Sequence, residues 1–380
     1  MSARWIIGRN ADLLWLTGGT LAGWTLFLAH SVLRVNMFHA WLLWTVLLSG
    51  PHLFATYTRT YLAPDEWRRR GRLLLGSLGL FLVGPAVLLL CGGLALSGAP
   101  WHRAPFAAFL ALATLWAFWH MVRQHYGILR LYQRKNADEA TADRRADAWL
   151  LHAGLLAPLI ILITRHPEAR TPLGLPPIEP GSTWEPVVHA ACFIALAVSV
   201  ALFLGRQFLR WRRGGGVNGP KIVFLAVLLP YYFFVCTRSE LLSAPLLGVI
   251  PVLIVPHDIQ YLALVRYYNR NREREFLGRQ ERPDVGCRIS GSVPLYGICA
   301  VGTGVVLGLL ACTLDGGIGV LDALRSSTPI LFGVIGLRDI LLATLQGFFI
   351  HHFFIDQFLW KPGRDAHVAG ALELAAPAPR

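Results

Sequence analysis

Apolar runs of about 18 residues or more recur along the chain, separated by short arginine-rich or proline-rich loops. Each run is long enough to cross a hydrocarbon core of about 30 Å as a helix. The pattern predicts spans near 12–34, 38–61, 73–97, 104–132 and 147–164 in the first half. The second half adds 185–208, 220–237, 242–266, 293–314 and 329–360. A lipid-exposed backbone has no water to satisfy its N–H and C=O groups, so such spans must be helices. The short alternating segments of a membrane β-barrel do not occur. The expected fold is therefore all-α, a polytopic transmembrane helical bundle of about ten spans. It forms one membrane domain over 1–365, followed by a short flexible tail over 366–380. The last span is long, and Arg338 with Asp339 marks either its outer half or a break. The loop from Thr171 to Trp184, rich in proline and glycine, reads as a flat cap or an irregular segment.

The loops alternate in charge. One set carries Arg68, Arg69, Arg70 and Arg72, then Arg134, Lys135, Arg144 and Arg145, then Arg206, Arg210, Arg212, Arg213 and Lys221. It continues with Arg266, Arg270, Arg272 and Arg274, and ends with Lys361 and Arg364. The intervening loops are poorer in such residues. By the positive-inside rule the basic set is cytoplasmic, and an even number of spans puts both termini there, which suits a bacterial inner membrane. The basic segment Met1 to Asn10 precedes an apolar stretch with no clear signal-peptidase site, so the first span is expected to be retained.

Composition agrees with the pattern, since 54% of residues are hydrophobic and only 15% charged, below the roughly 25% of soluble domains. The formal charge of +13 suggests nucleic acid, but its residues are confined to loops flanking spans and form no binding module. The cysteines Cys91, Cys192, Cys236, Cys287, Cys299 and Cys312 include no CxxC pair and lie mostly in apolar runs. They read as small buried residues, not as a disulfide framework or thiolate site.

Four spans carry polar chemistry near their cytoplasmic ends. They hold Pro51-His52 with Arg59; His120 with Arg123, Gln124 and His125; Pro256-His257-Asp258 with Tyr261; and His351-His352 with Asp356. All four spans run toward the cytoplasm, so they are mutually parallel, and the histidines lie roughly two to four turns before the basic loops. Ionisable residues at such depth are costly and normally face a protein interior or a wet cavity. Six histidines in one layer suggest a metal centre, since imidazole suits iron, copper and zinc.

Spacing narrows the roles. His352 and Asp356 share one helix face, as two ligands or as a ligand and a supporting carboxylate. His351 and His352 diverge by about 100°, so both reach one site only if it is wide. His120 and His125 diverge by about 140°. Either a π-bulge brings them together, or one is a ligand and the other supports it. Asp258 is placed to orient or neutralise a neighbour, and Pro51 and Pro256 to kink their spans. Arg59, Arg123 and Arg266 either snorkel to the interface or bind an anion. Trp119, Tyr126, Tyr261 and Trp360 read as interface anchors. His30, His39, His102, His152, His166, His189 and His367 read as surface or packing residues.

At these residues the chain resembles the histidine-rich integral-membrane non-haem iron oxygenases, the group of lipid desaturases, hydroxylases and bacterial carotenoid-cleaving dioxygenases. Isolated histidines on separate spans are closer to the carotenoid-cleaving kind. The HxxxH and HxxHH boxes of desaturases are missing, with only His120-x4-His125 and His351-His352 in their place. The resemblance implies a metal-dependent oxidoreductase with one or two non-haem iron ions and a lipid, isoprenoid or alkyl substrate. Molecular oxygen and an electron donor would be its partners. The expected ligands are His52, His120, His125, His257 and His352, completed by His351 or Asp356, with Asp258, Arg123 and Gln124 as supporting groups. The competing readings are a haem-binding electron-transfer protein, with paired histidines as axial ligands, and a transporter or channel using a His/Asp relay. A lipid transferase or hydrolase using a histidine base has no GxSxG motif behind it.

Overall fold

The structure is a computed structural model that describes residues 3–138, 140–170, 183–244, 246–315 and 331–374. Most of the proline-rich loop (171–182) and the stretch 316–330 lie outside the described residues. The main helices are α1 (Gly19–Ser31), α2 (Met37–Trp44), α3 (Gly50–Arg59), α4 (Pro64–Ser77) and α5 (Val83–Leu96). Then follow α6 (Ala104–Lys135), α7 (Thr141–Arg165), α8 (Trp184–Arg212), α9 (Gly219–Thr237) and α10 (Leu246–Gly278). The chain ends with α11 (Val285–Gly291), α12 (Val293–Asp315), α13 (Leu337–Leu359) and α14 (Ala366–Ala371). No strand occurs among the described residues beyond the isolated bridge Leu331–Ile335.

Among the described residues, seven helices are long and apolar enough to cross a membrane: Pro64–Leu96, Ala104–Lys135, Thr141–Arg165, Trp184–Arg212, Gly219–Thr237, Gly248–Gly278 and Val293–Leu310. They match seven of the ten expected spans, and the other three are helical but differ in build. The first is divided by a π-helical turn at Asp12–Thr17 and the second by another at Thr45–Ser49. The last begins only at Leu337, where the Asp339 carboxylate accepts the Gly336 N–H at 3.0 Å and pairs with Arg103 at 2.8 Å. An acid in the first turn suits the positive end of the helix dipole, so Asp339 marks a helix start.

Helix ends are written in the sequence. Asn218 accepts the Lys221 N–H, Asp284 accepts the Cys287 N–H, and Asp365 accepts those of His367 and Val368. These are side-chain caps for donors that have no partner inside the helix. The helix following Asp365 buries Val368, Ala369 and Ala371. The five described cysteines are all free, and Cys299 alone among them is not fully buried. Burial separates scaffold from centre: 72% of the apolar stretch of α10 is enclosed, against 17% for α8, which shows lipid mostly large apolar side chains.

The described residues form two compact units. One draws on Met1–Trp41, His120–Ala263 and Pro362–Arg380, the other on Leu42–Trp119 and Leu264–Lys361. In the first, α7 packs on α8 through Ala157, Ile161 and Cys192. Its polar core is a buried ion network in which Lys221 Nζ, fully enclosed, meets Asp138 at 2.6 Å and Asp147 at 2.7 Å. In the second, Leu88, Cys91, Phe106, Ile335 and Ala343 form one apolar cluster. Leu74, Ile355 and Leu359 form another.

The second unit also contains a close helix approach beside His52. A Cβ on Gly50 would fall 2.2 Å from the Gly304 Cα, and one on Gly304 would fall 2.0 Å from the Val46 carbonyl oxygen. Small residues let backbones touch where lipid offers no hydrophobic drive for association. Because His52 follows Gly50 by two residues, this contact sets its position. Gly304→Ala is therefore expected to push α12 away and to destabilise the protein by about 1–3 kcal/mol, the usual overpacking cost. A thermal denaturation series in detergent that shows no drop in midpoint would contradict this reading.

Candidate metal centre

In the second unit, α3 and α13 present facing histidines. His52 Nε2 and His352 Nε2 stand 2.8 Å apart, with ring planes at 79°. Two turns further on, Arg59 Nη2 donates to the Leu359 carbonyl at 2.8 Å. The numbering offset is the same at both contacts, so the two helices run parallel, as the loop charges lead one to expect. His352 Nδ1 lies 2.7 Å from Thr56 Oγ1, and its Nε2 lies 4.0 Å from Asp356 Oδ2. Thr56 fixes the ring through the nitrogen that faces away from His52, which leaves Nε2 as the ligand atom.

His351 points elsewhere. It is fully buried, its Nε2 within 2.8 Å of Tyr61 Oη and 3.3 Å of Ser77 Oγ, and its ring lies against Tyr57, Tyr61 and Phe81. The 100° step between neighbouring residues on a helix accounts for the divergence.

In the first unit, His120 on α6 and His257 on α10 bring their ring centroids to 5.1 Å with planes at 79°. Pro256 has no N–H, so the Val252 carbonyl lacks its helical donor. The Tyr231 hydroxyl donates to it, and Tyr232 donates to the Leu253 carbonyl at 2.8 Å. Gln124 Nε2 donates to the carbonyl of His257 itself at 2.7 Å. The proline-loosened turn that carries His257 is thus held by three side chains. No π-turn interrupts α6, and His125 diverges from His120 accordingly. Its Nδ1 lies 2.8 Å from the Met121 carbonyl, and its ring packs against Tyr232 and Phe224. Asp258 is buried beside His257, whereas Arg123 is exposed over the Tyr126 ring. Tyr261, expected at the interface, is buried.

The buried histidines His52, His120, His257 and His352 form a group that could hold a metal ion: one ligand nitrogen from each lies within 4.8 Å of the other three. Two imidazole nitrogens bound to one ion at about 2.1 Å each stand about 3.0–3.4 Å apart. Four neutral imidazoles with no thiolate suit a borderline divalent ion such as iron, copper or zinc, and leave calcium and magnesium poorly served. Of the expected ligands, four converge; His125, His351 and Asp356 stand outside the group, Asp356 within reach of one member.

Two kinds of residue escaped the sequence reading. Thr56 had a usable signal, since it lies one turn from His52 on the same face. Tyr231 and Tyr232 had none, because their role depends on the Val252 and Leu253 carbonyls beside Pro256 on a different helix. Compared with known proteins, the chain matches no protein-family model, no curated protein and no solved structure.

Proposed function

We propose that the chain is a membrane-embedded, metal-dependent oxidoreductase. It holds non-haem iron through His52, His120, His257 and His352 and oxidises a lipid, isoprenoid or alkyl substrate. The observation that carries this reading is the convergence of four buried imidazoles from four helices within 4.8 Å of one another. Burying four such groups in apolar surroundings costs free energy, and a ligand common to all four accounts for their presence. When bound, iron would supply the oxygen and electron-transfer chemistry that side chains lack, with molecular oxygen and an electron donor as partners.

The protein's own contribution is positional. Thr56 holds the His352 ring, Gln124 holds the backbone at His257, and Asp356 stands where a carboxylate can take a proton or complete a coordination sphere. The surrounding helices exclude water, which protects reactive species from side reactions. A substrate of this class enters sideways from the bilayer. In this reading all ten spans cross the bacterial inner membrane with both termini cytoplasmic, the divided first and second helices and α13 making up the difference from seven.

Elemental analysis and an absorption spectrum of the detergent-purified protein test the proposal. Iron at one or two equivalents with no Soret band is the expected result. A Soret band would instead assign the histidines to haem. Failure to retain any transition metal after loading under reducing conditions would reject the metal centre altogether.

A further inference from the structure

Arg59, the last residue of α3, is fully buried. A cationic residue at the end of a span normally snorkels its head group into water. Here the guanidinium instead lies between two aromatic faces, 4.1 Å from the Tyr268 ring and 3.6 Å from the Trp360 ring. Its Nη2 caps the C-terminal end of α13 through the Leu359 carbonyl. Nε and Nη1 have no hydrogen-bond partner, and Arg59 forms no ion pair among the described residues.

Arg272 provides an internal comparison, since it lies 5.9 Å from the same Tyr268 ring. Its charge is met by Asp284 at 2.9 Å and by Asp65 at 3.3 Å. One tyrosine thus serves two buried guanidinium groups, one with two carboxylates and the other with none. Aromatic contacts offset only part of a desolvated cation's cost, and a carboxylate or phosphate partner is what normally offsets the rest. The missing counter-charge is the observation that points to a ligand.

We infer that Arg59 receives the anionic head, a carboxylate or phosphate, of a membrane amphiphile. A guanidinium suits this role because its planar fork matches both oxyanions and loses less hydration than an ammonium would. Both faces of the plane are covered, so the head approaches an edge. Trp360, one residue past α13 and only half-buried, is the wall that yields, whereas Tyr268 is buried within α10. Arg59 lies seven residues from His52, about 10 Å along one face of α3, and Leu359 bears the same relation to His352. A tail running back along this strip brings its methylenes level with the histidines. That last step rests on the four-histidine group being a metal centre; the head-group site does not.

The test titrates purified protein, without added metal, with oleate, oleyl alcohol and inorganic phosphate. Binding is read by thermal stability and by native mass spectrometry. Oleate is expected to bind roughly 10-fold or more tighter than oleyl alcohol, as a charge-assisted hydrogen bond implies, and inorganic phosphate alone to bind far more weakly than oleate. Arg59→Gln should remove the preference for the acid, and Arg59→Lys should retain part of it. If Arg59→Gln does not fold, carboxyl-labelled oleate bound to the wild type gives an independent reading by carbon NMR. Its carboxylate should stay ionised to lower pH than in detergent alone. Equal binding of acid and alcohol, a preference kept by a folded Arg59→Gln protein, phosphate binding as tight as oleate, or a bound carboxyl that titrates as in detergent would each overturn the inference. Metal loading is measured separately, so failure of the metal centre and failure of the head-group site are distinct results.

Discussion

Replacing His352 with alanine is expected to abolish retained metal, lowering affinity by more than the roughly 10–100-fold that loss of a supporting residue costs. His352 occupies the middle of its half of the group. Its Nε2 faces His52 at 2.8 Å, its Nδ1 is held by Thr56 at 2.7 Å, and Asp356 is one turn away. Removing the ring takes away one of four nitrogens and leaves His52 with no facing partner on α13. The informative control is the adjacent residue. His351 is equally buried but is engaged by Tyr61 and Ser77, so His351→Ala should keep its metal even though it loses stability. Thr56→Val should fall between the two, keeping the ligand while freeing its orientation, with affinity down about 10–100-fold. Equal metal loss in His351→Ala and His352→Ala, by elemental analysis of folded protein, would show that the geometric group is not the binding site.

This contrast also shows what the sequence could carry. Span length and loop charge are properties of continuous segments, so the apolar runs that became α5 to α10 and α12 could be read along the chain. The second span could not be read in detail, because the π-turn at Thr45–Ser49 answers to the Gly50–Gly304 contact, which joins residues about 250 positions apart. The candidate site was legible as far as helical geometry extends. Matched depth gathered six histidines, and the 100° and 140° offsets warned that one member of each neighbouring pair could turn away from a common site. Which member of each pair turns inward depends on side chains of other helices, such as Tyr61 for His351 and Tyr232 for His125. Arg59 was open to two readings for the same reason. Depth suggested snorkelling, and only the rings of Tyr268 and Trp360 reveal that its charge never reaches water.

Lys221→Met is expected to be the most destabilising substitution outside the histidine group, by about 3–5 kcal/mol, as when one partner of a buried ion pair is lost. Lys221 Nζ is fully enclosed between Asp138 and Asp147, which tie the start of α9 to the loop after α6 and to α7. Removing the ammonium leaves Asp147 with Gln133 as its remaining hydrogen-bond donor, and Asp138 with Arg210 and Asn218. Methionine matches the length of the stem, so the loss reports the charge more than the volume. Acid should expose the same network in the wild type. Burial alone would raise the Asp138 carboxyl, but Lys221 and Arg210 outweigh it and hold the group below its ordinary range. A carboxyl whose folded pKa is depressed contributes stability that is fully present above the unfolded value of about 3.9, and this stability is lost as pH falls through the folded value. The wild type should therefore show a drop in denaturation midpoint below about pH 4 that is smaller in Lys221→Met, where part of the depression is already gone. Asp147→Asn added to Lys221→Met should recover part of the loss by removing the stranded carboxylate. A double variant no more stable than Lys221→Met, with the wild type's acid response unchanged in both, would mean that the network is not what joins these helices.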